Sequence, residues 1–119
     1  MNPRWPAFIH YSLEPSLTFV SDGVEWDSDP DLSAWPYELA DRLIDADGWE
    51  YRLLFVGRPG RGRVTLEGTG TQLGPVQLSA LVEGHLLAAH RSVSDYRAYL
   101  ERRGPSESTR AIVEYLAGS

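Results

Sequence analysis

The apolar residues change their spacing once along this chain, and that change limits the folds open to it. Up to Glu67 they come in short alternating or β-branched runs separated by turn residues. From Pro75 onward they recur every three or four positions. A period near two buries one face of a strand, and a period near 3.6 buries one stripe of a helix. Strands first and helices after predict an α+β fold: an N-terminal antiparallel sheet of about four or five strands with two or three C-terminal helices packed on one face. A length of 119 residues suits a single domain spanning 1–119.

Trp5–Tyr11 and Leu17–Val20 read as the first two strands, with Glu14-Pro15-Ser16 turning between them. Asp22–Pro36 is acidic and interrupted by two prolines, and reads as a surface loop with room for one short helical turn. Leu39–Ile44 leads through Asp45-Ala46-Asp47-Gly48 into Trp49–Val56, where Trp49, Tyr51 and Leu53 alternate. The Asp-Gly pair makes this the clearest hairpin, because glycine accepts the positive φ of the turn. After the loop Gly57–Gly62 comes a strand over Arg63–Glu67, with Val64 and Leu66 facing one way and Thr65 and Glu67 the other.

Pro75 fits the first position of a helix, where its missing N–H is no loss. Leu78, Leu81, Val82, His85 and Ala89 then share one stripe, expected to pack on the strands Trp5–Tyr11 and Trp49–Val56. Ser92–Asp95 resembles a capping box and opens a second helix carrying Val93, Tyr96 and Leu100. Its aromatic residues leave a strand open as the alternative over Tyr96–Leu100. Gly104-Pro105 ends it. Ser106 caps a third helix with Ile112, Tyr115 and Leu116 on its inner face and Gly118 past its end.

Charge is distributed unevenly. Between Glu14 and Glu50 stand 11 of the 17 acidic residues and a single base, Arg42, in a chain of net charge −6. Such a surface repels nucleic acid and attracts a basic protein partner, so nucleic-acid binding is not expected. Cysteine is absent, which excludes disulfides, thiolate catalysis and cysteine-held metal centres. All 11 basic residues are arginine, which excludes a Schiff-base lysine and the P-loop lysine. No apolar run is long enough to span a membrane, and Met-Asn-Pro-Arg-Trp-Pro resembles neither a signal nor a transit peptide. The expected setting is cytoplasmic.

Five groups of residues bear on chemistry. Asp27, Asp29, Asp31 and Glu38 have the spacing of calcium-loop positions one, three, five and twelve. Leu32 stands where the loop needs glycine, and Pro30 and Pro36 interrupt it, so no metal is expected there. Of Asp41, Asp45 and Asp47, the first two would share a strand face and Asp47 belongs to the turn, so turn chemistry and an exposed face explain them better than a metal or an acid–base pair. Gly57-Arg58-Pro59-Gly60-Arg61-Gly62-Arg63 mimics P-loop glycine spacing but ends in Arg63-Val64 where lysine and a hydroxyl residue belong; it reads as a hairpin loop. His85 and His90, five apart, miss the i, i+4 spacing of a metal pair, and His10 has no evident partner. Trp26 and Trp35 flank the acidic loop and suit either an interface or the core.

Trp5-Pro6-Ala7, Leu17–Asp22, Trp26, Asp31-Leu32, and Leu43-Ile44-Asp45 with Gly48 and Tyr51 resemble a small, mostly gammaproteobacterial family of uncharacterised proteins. The likeness covers the first half and is looser around Leu78–His85. It implies a bacterial cytoplasmic protein and brings no catalytic residue, cofactor or metal with it. The expectation is a small acidic interaction module without catalytic activity. Its candidate binding residues are the acids Asp22, Glu25, Asp27, Asp29 and Asp31 with the aromatics Trp26 and Trp35. The alternative is a small-ligand-binding domain or an unrecognised hydrolase, which needs a pocket gathering histidines, carboxylates and arginines.

Overall fold

A computed structural model describes residues 2–58, 60–103 and 108–116. Strands β1 (Ala7–His10) and β2 (Leu17–Val20) form the first hairpin. Two short helices follow, α1 (Gly23–Ser28) and α2 (Pro30–Ser33). Then come β3 (Arg42–Ile44), β4 (Trp49–Val56) and β5 (Arg63–Gln72), and after them helices α3 (Pro75–Ala88), α4 (Val93–Arg103) and α5 (Ser108–Tyr115). All five strands join one antiparallel sheet in the order β2-β1-β3-β4-β5. The fold is α+β, with the sheet N-terminal and three helices after it.

Each face of the sheet carries its own cluster. Phe8, Leu17, Phe19 and Ile44 point to the helical side and meet Leu78, Val82 and Leu86 of α3, Tyr96 of α4 and Ile112 of α5. Ala7, Ile9, Leu43, Tyr51, Leu53 and Val64 point to the opposite side and meet Trp26 and Leu32. The helices therefore lie over β1, β2 and β3, and not on Trp49–Val56 as expected. The reason is the alternation of β4: Tyr51 and Leu53 face away from the helices. Toward the helical side stand Glu50 and Arg52, in ion pairs with Arg42 at 3.3 Å and Glu67 at 3.1 Å.

The acidic segment departs most from expectation. After β2, at one edge of the sheet, α1 crosses the face opposite α3–α5, and its Asp27 meets Arg63 of β5, the other edge, at 3.2 Å. It is no loop: α1 and α2 form a lid over that face. Two of the acids start these helices. The Asp22 side chain accepts from the Glu25 amide at 2.8 Å, and that of Asp29 from the Asp31 amide at 2.9 Å, with Pro30 in the first turn.

The hairpin between β3 and β4 forms at Asp45–Trp49, with Gly48 at φ 89°. A Cβ on Gly48 would collide with the Leu73 carbonyl oxygen, so the position excludes side chains twice over. β5 runs five residues further than expected, to Gln72, through a bulge opposite Trp49–Tyr51 in which Gly70 takes φ 82°.

On α3, Pro75 stands at the helix start, and Gln77 Oε1 accepts from the Gly74 amide at 2.8 Å. The buried stripe is Leu78, Val82 and Leu86; Leu81 and His85 are half-buried. Ala89 is exposed, beyond the last turn. Tyr96–Leu100 is helical, and the Ser92 hydroxyl accepts from the Asp95 amide at 3.1 Å. Ile112 and Leu116 are buried and Tyr115 half-buried, on the expected inner face of α5. Gly104-Pro105, Ser106 and Gly118 lie outside the described residues.

Candidate protein-docking surface

The lid is amphipathic. Trp26 and Leu32 are turned into the core, at 5% and 8% exposure. Asp22, Glu25, Asp27 and Asp31 are exposed, and Asp29 is half-buried. Val24 and Trp35 stand among them at 75% and 51% exposure. Glu25 Oε1 accepts from the Ser21 amide at 2.9 Å. Each of these contacts occupies one carboxylate oxygen, and the second faces no protein donor among the described residues. The structure thus exposes Asp22, Glu25, Asp27 and Asp31, half-buries Asp29 and withdraws Trp26 from the surface. Trp26 instead fixes the lid to the sheet.

The remaining candidates resolve into structural roles. Asp41 and Asp45 flank β3 and are buried, so the expected exposed strand face is overturned. Asp45 accepts from the amides of Arg4, Asp47 and Trp49 at 3.1, 3.0 and 2.9 Å and lies 3.4 Å from the Tyr51 hydroxyl. Asp41 accepts from the Ser12 amide and hydroxyl at 2.8 and 3.1 Å and from the Glu38 amide at 2.9 Å. Both carboxylates are clasps holding loops to the ends of β3, which fits the rule that buried charge is heavily hydrogen-bonded. Among the described residues, no three of His, Asp and Glu are placed to hold a metal ion. In the glycine–arginine loop, Gly62 lies under the Phe55 ring, where any Cβ would collide with it. That close approach accounts for a glycine without any phosphate.

The histidines are separate. His85 Nδ1 accepts from the Leu17 amide at 3.0 Å, and burial, with the Arg91 guanidinium second, holds its pKa below the usual imidazole value. His90 lies past the end of α3 at φ 57°, with its own amide and that of Arg91 bonded back to Leu87 and Leu86. His10 ends β1 opposite Leu17 and Arg42. Burial also raises the hydroxyl pKa of Tyr96, to about 12, and of Tyr37 and Tyr51.

Three surface features bear on binding. A cleft of about 390 Å³ opens between Trp5, the α1 residues Trp26 and Asp27, and the β5 residues Val64 and Leu66. A second, of about 470 Å³, is lined by Ala34, Pro36, Phe55, Gly57 and Gly60. Neither contains a histidine. At one end of the sheet Val56, the last residue of β4, and the loop residues Leu13 and Leu39 are also exposed, at 61%, 85% and 84%. No local sequence pattern marks the first cleft, because its parts come from three distant stretches of chain. Their meeting depends on α1 crossing the sheet.

The sequence profile of a family described as a protein structure with unknown function matches residues 5–92, which takes in the sheet, the lid and α3. The NMR structure of a protein from Shewanella amazonensis is similar at 14% identity and a TM-score of 0.62, over 98% of this chain and 90% of that one. At such identity the likeness bears on the fold alone. A search of the curated proteins finds no match.

Proposed function

The chain belongs to the DUF4144 family, whose description assigns no activity, and from its surface we propose that it is a non-catalytic module that docks a basic protein partner. The observation that carries this is the amphipathic lid, with Trp26 and Leu32 inward, Asp22, Glu25, Asp27 and Asp31 outward with Val24, and Trp35 exposed just after it. Clustered carboxylates of a chain at net charge −6 speed encounter with a positive surface, and the exposed apolar residues give it something to bury. The same field disfavours nucleic acid. A gammaproteobacterial origin and a cytoplasmic setting form part of this reading; no helix among the described residues is long and apolar enough to cross a membrane.

The test is affinity capture from a bacterial lysate, with the wild type beside a variant carrying Asp22→Asn, Glu25→Gln and Asp31→Asn. Asparagine still caps a helix, so the lid keeps its start. Proteins held by the wild type at low salt should be lost both at high salt and on the variant. Equal retention by the variant overturns the reading. The small-ligand alternative draws its support from the apolar cleft at Phe55, whose size suits a small molecule. With no titratable side chain lining it among the described residues, that cleft offers binding and no acid–base chemistry.

A further inference from the structure

The sheet has two edges, and they are treated differently. At β2 the Leu17 amide, pointing away from the sheet, is taken by His85 of α3. That edge is short, four residues, and its first outward amide is capped. At the other edge β5 is ten residues long. Among the described residues, no backbone hydrogen bond joins its Arg63–Gly68 stretch to any element but β4. A long edge with unused N–H and C=O groups is a template for another strand.

The open edge borders the cleft at Trp5. Val64 and Leu66, alternate residues of β5, form one wall, and Trp5 and Trp26 form the other. A strand laid along β5 would send every second side chain toward this cleft. At its mouth stands Asp27, whose pairing with Arg63 at 3.2 Å is exposed on both sides, at 63% and 69%. An ion pair so open to water contributes little and is readily exchanged. The Trp5 indole N–H, turned toward Gly23, has no acceptor among the described residues.

We propose that β5 receives an extended segment of the partner protein as a sixth strand, with an arginine or lysine of that segment displacing Arg63 from Asp27 and lying against Trp5. This rests on the acidic-docking reading and adds the mode of docking. Main-chain hydrogen bonds along β5 supply affinity, and the cleft selects the side chain. A cation between a carboxylate and an indole face gains from both. Charge argues for a basic segment over a second copy of this chain, which brings another −6 and the same row of carboxylates.

The probe is a synthetic peptide alternating arginine with valine, compared with the same peptide N-methylated at every residue, because successive amides of a strand point to opposite edges. Methylation keeps the charge and removes the ability to pair with a strand. The unmethylated peptide should slow amide hydrogen exchange over Arg63–Gly68 and shift the Trp5 indole resonance. It should bind about tenfold more tightly than the methylated one, and Asp27→Asn should cost about tenfold of that affinity. Equal binding of the two peptides, with shifts confined to Asp22–Asp31, overturns strand addition and leaves the acidic-docking reading standing. Failure of both peptides to bind at low salt overturns both. Protection of Arg63–Gly68 without peptide, together with a dimer in sedimentation, assigns the edge to a second copy and overturns the proposal.

Discussion

Asp45 shows how much one buried side chain can organise. It ties the N-terminal segment at Arg4 to the hairpin at Asp47 and Trp49. Replacing it with alanine leaves three amides and the Tyr51 hydroxyl without their acceptor in a place water reaches poorly. Asp45→Ala should lower the unfolding free energy by about 3–5 kcal/mol in a urea titration. A loss under about 0.5 kcal/mol would mean the carboxylate holds nothing. His85 gives a pH dependence of definite sign. Its folded pKa is lowered, and the Leu17 amide needs the bare Nδ1 lone pair. On acidification the unfolded chain therefore takes up the proton first. The stability contributed by neutral His85 is complete above about pH 6.5 and is lost as pH falls through the lowered folded value. Between pH 7 and 5, roughly the range of unperturbed imidazole titration, the denaturant midpoint of the wild type should fall more than that of His85→Gln. Parallel curves would refute the assignment.

At the scale of elements, α3 separates two kinds of apolar position. Leu86 is buried between the sheet and the neighbouring helices, whereas Leu81 is half-buried. Leu86→Ala should cost about 2–5 kcal/mol, and Leu81→Ala well under half of that in the same thermal melts. The reverse order would place the helix in the wrong rotation. Periodicity alone puts Leu81 and Ala89 on the stripe and misses Leu86, because it assumes one buried face. α3 has neighbours on two sides, the sheet and the α4–α5 pair, which turns the buried arc toward Leu86. The strands of both hairpins were legible, since alternation and Asp-Gly act locally. Over the lid the sequence allows one short helical turn at most, because its charge argues for solvent. The signals for it were present in the spacing of Asp22 to Glu25 and in Asp29-Pro30, both helix starts. The cleft and the open edge were illegible for a different reason: strand order decides which strand is an edge, and no local pattern in Arg63–Gly68 records it.

For the whole molecule, the sheet is a shared wall between two apolar clusters, one under the helices and one under the lid. The family match ends at residue 92, before α4 and α5, although Tyr96 and Ile112 of those helices complete the first cluster. Whether the two sides form one cooperative unit follows from how they are joined. β1 contributes to both, with Phe8 to one side and Ile9 to the other, and a strand cannot release one face while its backbone stays paired for the other. The two sides should therefore melt together. Ile9→Val and Ile112→Val make the same small deletion on opposite sides, each expected to cost about 1 kcal/mol. With the sheet between them and no common side-chain partner, the double variant should lose the sum to within about 0.5 kcal/mol. Tryptophan fluorescence, dominated by the lid side through Trp26, and far-UV circular dichroism, dominated by the helices, should give coincident urea transitions in all three variants. Transitions that separate, with Ile9→Val moving the fluorescence and Ile112→Val the dichroism, would show that the lid detaches from the sheet before the helices do.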